Sequence, residues 1–264
     1  MKKNYFCNIE TRKTNAMKKL LFPIALLLMT MVGCKCTRNN SNEVEVEAYT
    51  LADSVLIESD LGDEYSYYMV NADLPVTTNN ELKESIINWM LDGEDVDLRT
   101  YFEDKRDNFF AEEGDEPGSI LKSNYTLVEQ TDVYVTYLSE GMVFTGGAHP
   151  MPWYYGTSFS KADGSIIGYD IFDDPEQLVG LVTEALRKQY FEPTNTIEEE
   201  YIIEPGDTFD LPTNLPWIEA DSMVFCYQPL EIEPYSAGMP LCKIALTDLK
   251  PYFSELGNEL FDNE

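Results

Sequence analysis

The sequence predicts an α+β fold: antiparallel sheets with helices packed on them, organised as a smaller N-terminal unit and a larger C-terminal unit. Three observations predict it. Several segments alternate apolar and polar residues with period two, the mark of half-buried antiparallel strands. Two helical patterns, the first opened by a capping box, stand between the first strands and the later ones. The composition, 44% hydrophobic and 12% aromatic over 264 residues, is that of a globular chain and not of an acidic disordered one.

The elements follow in order. Tyr49 to Ile57 and Glu64 to Asn71 read as strands joined by the turn Ser59-Asp-Leu-Gly62. Thr78-Asn-Asn-Glu81 has the form of a capping box, followed by Leu82, Ile86, Trp89 and Met90 at helical spacing, with an end near Gly93. A second helical pattern, Leu98, Tyr101, Phe102, Phe109 and Phe110, stops before Gly114, and its charged residues form a wet face. From Tyr125 the period becomes two, through Leu127, Val133, Val135 and Tyr137, with Met142 and Phe144 beyond Gly141. Trp153 to Ser160 and Ser165 to Tyr169 flank Lys161-Ala-Asp-Gly164, where Asp-Gly favours the positive φ values of a tight hairpin. Asp174 caps a helix begun by Pro175, with Leu178, Leu181, Val182, Ala185 and Leu186 as its apolar stripe. Residues 192 to 208 are an acidic, proline-bearing excursion. Short strands at Phe209–Leu211 and Trp217–Ile218 precede firmer ones at Met223–Gln228 and Leu241–Ala245, and Thr247 to Leu256 closes the fold as a helix or turn.

Residues 1 to 33 read as an export signal. Lys18 and Lys19 precede the apolar run Leu20 to Met29, and Val32-Gly33-Cys34 resembles the lipobox of bacterial lipoproteins, which implies acylation of Cys34. The run is too short for a bilayer core, which needs about 20 apolar residues. Met17-Lys18-Lys19 makes a complete start by itself, so Met17 is the expected true start. Residues 34 to 47 are the expected tether, 48–122 the smaller companion domain, 123–255 the larger domain and 256–264 an acidic tail. Lys35 and Arg38 follow Cys34 where acidic residues would favour surface display, which leans towards an outer membrane anchor facing the periplasm.

The chain carries 48 acidic and 18 basic residues, a formal charge of −30. Loss of residues 1 to 33 leaves 47 acidic and 12 basic side chains, a charge of −35. Nucleic acid is therefore excluded as a natural partner, since phosphate binding needs a basic face. A basic protein or a cation fits the sign, and solubility alone is a second use of such a surface.

Of the five cysteines, four remain after loss of residues 1 to 33: Cys34, assigned to lipid, and Cys36, Cys226 and Cys242. A hairpin centred near Pro234 would bring Cys226 and Cys242 close, where a disulfide could contribute about 3 kcal/mol in an oxidising envelope. Their apolar neighbours fit buried free thiols equally well. His149 is the single imidazole, and no spacing matches a zinc motif, so neither a metal nor another cofactor is expected. Asp92-Gly-Glu-Asp-Val-Asp97 has the composition of a calcium loop without its glycine and distal glutamate, and reads as a solvated turn. No catalytic residue is assigned.

Several C-terminal segments occur in a distinctive order: Phe144-Thr-Gly-Gly-Ala-His-Pro150, the hairpin Thr157 to Gly164, Asp170-Ile-Phe172, Phe225 to Gly238 with Tyr-Gln-Pro and Pro-Tyr, and Ile244 to Pro251. Together they resemble an extracytoplasmic domain family of unknown function, found in the anti-sigma-V factor that serves as a lysozyme receptor and beside the catalytic domain of a peptidoglycan deacetylase. The resemblance covers about residues 123 to 255. It implies an extracytoplasmic sensor or binding module, with neither the deacetylase's metal domain nor the anti-sigma factor's cytoplasmic segment. Gly146-Gly147 allows a sharp strand exit that places His149 near Trp153, Tyr154 and Tyr155, and the extended loop after Tyr227 carries Tyr235. These six residues, His149, Trp153, Tyr154, Tyr155, Tyr227 and Tyr235, form the candidate binding surface; satisfied core and turn roles are the alternative.

The expectation is a lipid-anchored cell-envelope module that binds or senses peptidoglycan or a lysozyme-like basic protein, held to the membrane through Cys34. Two alternatives stay open: a hydrolase of envelope polymers using carboxylates with His149, and a structural lipoprotein.

Overall fold

The two strands that precede the first helix form a long antiparallel pair, β1 (Glu45–Ile57) and β2 (Glu64–Val76), in register from Glu45↔Val76 to Ile57↔Glu64, with alternating burial along β2. The computed structural model describes residues 43–57, 62–113, 116–191 and 208–261. They belong to one unit, residues 40–264, which contains all four hydrophobic clusters. The stretch expected to be an export signal, Cys34, Cys36, most of the turn after Ile57 and most of the acidic excursion lie outside the described residues. Strand pairing starts at Glu45, four residues before the expected Tyr49, and the backbone of the buried Val44 before it exchanges two 3.0 Å hydrogen bonds with the Gln130 amide.

Two helices follow, α1 (Asn80–Met90) and α2 (Leu98–Asn108). The cap of α1 is Asn79, one residue after the expected Thr78. Its Oδ1 accepts from the Leu82 N–H at 3.2 Å, while its Nδ2 donates to the Lys161 carbonyl at 2.9 Å. A long-range bond thus decided which residue of the Thr-Asn-Asn run caps the helix. Asp97 caps α2, and a wide π-type turn over Phe109–Glu113 ends it. The two helices cross over the sheet, so the next strand returns parallel to β2, where the sequence suggested antiparallel pairing throughout.

That strand, β3 (Ile120–Gln130), pairs with β2 in parallel and with β4 (Tyr134–Phe144) antiparallel. β5 (Met151–Ser160) and the two-residue β6 (Ile166–Ile167) complete a six-stranded sheet in sequence order. This sheet runs through residue 122, the expected boundary between two units. In the turn between β5 and β6 only Gly164 takes a positive φ, +74°, and a side chain there would meet the backbone of Glu81 and Leu82. Glycine is needed at that position both for its conformation and for the close approach of α1.

The second sheet is β7 (Trp217–Glu219), β8 (Ser222–Cys226) and β9 (Leu241–Ala245), all antiparallel. Phe209–Leu211, expected as a strand, is irregular. Asp174 makes no side-chain cap: a 3-10 turn over Pro175–Leu178 leads into α3 (Val179–Leu186). Leu178, Val182 and Leu186 of that stripe are fully buried with Met223, Phe225, Cys242 and Ile244. Short α4 (Leu246–Leu249) and α5 (Glu255–Phe261) end the described chain. Most of α5 lies where an acidic tail was expected, and its Phe261 packs on Phe253 with ring centroids 5.5 Å apart.

Strand alternation divides β4 and β5 between two environments. Val135, Tyr137 and Phe159 face α1, packed on Leu82, Ile86 and Met90. Thr136 and Ser158 face the second sheet: Thr136 Oγ1 donates to the Ile218 carbonyl and the Ile218 N–H donates to Ser158 Oγ, both at 2.8 Å.

Cys226 and Cys242 are free and buried. The hairpin does set their strands side by side, but Cys226 opposes Leu241 and Cys242 opposes Phe225. One residue of register places them on opposite faces of the sheet, Cys226 with Trp217 and Val224, Cys242 with the α3 cluster. The bridge left open by the sequence does not form. Burial pushes both thiols up to about 12, so they remain protonated hydrophobes.

Candidate ligand-binding cleft

The helix-facing side of the large sheet is filled by α1 over its centre and left partly open beside α2. Tyr101, Phe102, Lys105, Asn108 and Phe109 share one side of the helical path at roughly one- and two-turn spacing. Beneath them lie Tyr68 of β2, Leu121, Ser123 and Tyr125 of β3, and Trp153 of β5, with Asp92 contributed by the turn after α1. These residues line a cavity of about 260 Å³.

Its construction depends on Gly141 in β4. Gly141 is paired with Trp153, and a Cβ at that position would overlap both the indole and the Lys122 carbonyl. The missing side chain lets the half-buried indole lie across the sheet, where its Nε1–H donates to Ser139 Oγ at 3.2 Å. The ring is thus fixed from below and lines the cavity above.

The polar rim is electrically balanced. Tyr101 Oη donates to Asp92 Oδ2 at 2.6 Å, Lys105 Nζ stands 4.0 Å from the same oxygen, and that ammonium lies 5.0 Å from the Tyr101 ring centroid. Both members of the ion pair are more than half exposed, so solvent screens it strongly. Burial, reinforced at Tyr101 by the Asp92 carboxylate, raises the phenols of Tyr68, Tyr101 and Tyr125 well above their usual range. The cleft therefore offers ring faces, neutral hydroxyls and one acid–base pair already turned towards each other.

The structure does not gather the six residues expected to form one surface. Trp153 enters the cleft. Tyr155, two residues on and on the same face, packs edge-on against Trp89 with centroids 6.1 Å apart. Tyr154 points to the opposite face, against Trp217 at 5.8 Å, because consecutive strand residues alternate. Tyr227 is fully buried, with its hydroxyl donating to the Asp210 carbonyl at 2.7 Å; it continues the core-facing parity of Met223 and Phe225. His149 and Tyr235 do meet: their rings stack at 4.9 Å with a 15° interplanar angle, and Tyr235 Oη donates to the Pro150 carbonyl at 2.5 Å. Gly146 and Gly147, with φ near +90°, make the strand exit that permits this contact. This stacked pair lies outside the lining of the cleft.

Tyr68, Tyr101, Phe102, Lys105, Ser123 and Tyr125 were not among the residues expected to form a site. One signal was available: Gly141 interrupts strand β4, and a lone strand glycine marks a close approach. Asp97 caps α2 and Asp92 receives Tyr101, and no group of three metal-ligating side chains occurs among the described residues. No helix among them is long and apolar enough to cross a membrane.

The sequence matches no family model and no curated protein. Solved structures share the fold. A member of the DUF3298 family from Bacteroides fragilis is similar with a TM-score of 0.61 and 16% identity, over 82% of this chain and 98% of that one. A DUF3298 family protein from Pseudomonas aeruginosa PAO1 gives 0.57 and 16%, over 81% and 97%. The chain thus has the fold of these domains of unknown function over nearly their whole length.

Proposed function

We propose that this protein is a lipid-anchored component of the bacterial cell envelope that binds a ligand without transforming it, with peptidoglycan as the favoured target. The cleft over Trp153 carries this reading. It combines a fixed indole, tyrosine hydroxyls and a small polar rim, which is the composition of a recognition site. Its titratable rim groups, Asp92 and Lys105, are turned to each other and to Tyr101, an arrangement suited to holding a ligand and not to paired acid–base work. The signal-like residues 18–33 and Cys34 support anchoring through an acylated cysteine, on the periplasmic side of the outer membrane. A hydrolase built on His149 is disfavoured by that residue's stacking on Tyr235, outside the cleft lining.

A second reading rests on charge. The −35 expected after signal removal favours a basic protein of the lysozyme kind, and such binding would weaken steeply with salt. One titration separates the readings: residues 40–264 are mixed with purified peptidoglycan fragments and with hen lysozyme across a salt series. Saturable fragment binding that survives physiological salt supports the first. Saturable lysozyme binding with no fragment binding supports the second, and silence with both at low salt overturns both. Incorporation of labelled palmitate, abolished by Cys34→Ala, tests the anchor.

A further inference from the structure

The cleft is too small for an extended ligand. Drug-sized ligands occupy pockets of roughly 300–1,000 Å³, and about 260 Å³ leaves room for one ring with its substituents, not for a chain laid along the cavity. A ligand that reaches further must do so through the open mouth. The walls set the chemistry of that ring. Trp153 is immobilised by Gly141 and Ser139, so its free face is a flat platform that loses little entropy on binding. Polarised C–H groups meet the negative face of an indole favourably. Around the platform stand Ser123, Asn108 and Asp92, each able to exchange hydrogen bonds with hydroxyls.

Charge narrows the choice further. Asp92 and Lys105 face each other at 4.0 Å, so the rim as a whole calls for no ionic partner. An anionic ring would enter against a chain that carries −30. A cationic ring would have to displace Lys105 from Asp92 and from the face of Tyr101. A purely aliphatic ligand would leave Asp92, Asn108 and Ser123 facing carbon. What fits is a neutral ring with an apolar face and a hydroxylated edge.

We infer that the cleft binds a single neutral hexopyranose unit, stacked on Trp153 and hydrogen-bonded at its edge by Ser123, Asn108 and Asp92. This deepens the envelope-binding reading and rests on it for the source of the sugar, which would be one residue of a glycan strand whose remainder passes out of the mouth.

The test uses residues 40–264 and three probes: N,N′,N″-triacetylchitotriose, cellotriose and indole. Binding is followed by intrinsic tryptophan fluorescence and by saturation-transfer NMR. A saturable response to one or both trisaccharides is expected. Trp153→Ala should weaken it at least tenfold, and Asn108→Ala, an exposed helix position that does not threaten folding, several-fold. Tyr154→Phe on the opposite face and His149→Ala should leave it unchanged. No saturable sugar binding in the unaltered chain overturns the inference, as does binding of indole alone. Equal affinity in the unaltered chain, Trp153→Ala and Asn108→Ala does so as well. Failure here is distinct from failure of the envelope reading. Peptidoglycan binding that persists in Trp153→Ala, with no trisaccharide bound, removes the sugar site and keeps the reading. Trisaccharide binding without any binding to peptidoglycan does the reverse.

Discussion

Two glycine–tryptophan contacts sit on opposite faces of the β4–β5 pair, and the molecule uses them differently. On one face a Cβ at Gly156 would overlap the Trp217 ring; this indole is 1% exposed, clustered with Val224 and Cys226, and its Nε1–H has no partner among the described residues. On the other face Gly141 receives Trp153, whose Nε1–H is bonded to Ser139 and whose ring lines an open cleft. The first face accepts an unsatisfied polar atom in return for complete burial. The second keeps its indole satisfied and partly uncovered. Depth of burial, not residue type, separates a wedge between two sheets from the ring proposed as a platform for a ligand.

The largest expected effect breaks this contrast directly. Trp217→Ala should destabilise the fold by about 3–5 kcal/mol in urea titration, the usual cost of emptying a large buried aromatic site. Trp153→Ala should cost clearly less and act mainly on binding; equal losses of stability would erase the distinction between the two faces.

The seam between the sheets sharpens it further. Thr136→Val keeps the shape of the side chain but takes the donor from the buried Ile218 carbonyl and a partner from Ser158. A loss of about 1–3 kcal/mol is expected by the same titration, with cleft binding unchanged. On the helix side, Asn79→Ala removes both the α1 cap and the bond to the Lys161 carbonyl, for about 1 kcal/mol. A value near zero would mean that packing alone fixes the start of α1.

The smallest effect is a pH dependence in the turn that touches α1. The Ser165 backbone N–H, then its hydroxyl and that of Ser160, hold the Asp163 carboxyl below its usual range. A carboxylate depressed in the folded state stabilises above its unfolded value, and that contribution is lost as pH falls through the folded one. Asp163→Asn should therefore flatten the acid limb of stability below about pH 4. An unchanged slope in acid urea titrations would show that these bonds contribute nothing.

Much of the fold was legible because its signals are local. The segments rich in Val, Leu, Tyr and Ile before the first helix became β1 and β2, the period-two stretches from Tyr125 became β3 and β4, the Leu82–Ile86–Met90 spacing became the buried stripe of α1, and Leu178, Val182 and Leu186 became that of α3. Errors arose where a distant group chose between near-equal local options. Lys161, more than eighty residues away, selected Asn79 over Thr78 as cap. Likewise, the helical crossover turned β3 parallel to β2.

By itself the sequence determined the α+β class, the order and type of most elements, the acidic balance and the signal-like start that ends at Cys34, since each is written in neighbouring residues or in composition. Only the tertiary structure decided the register that separates Cys226 from Cys242, the faces that part Trp153 from Tyr154, and the cleft assembled from α2, β2, β3 and β5. The physical reason is that a strand alternates every residue while its partners are fixed by long-range pairing. One step of register exchanges core for surface, and no local pattern specifies that step.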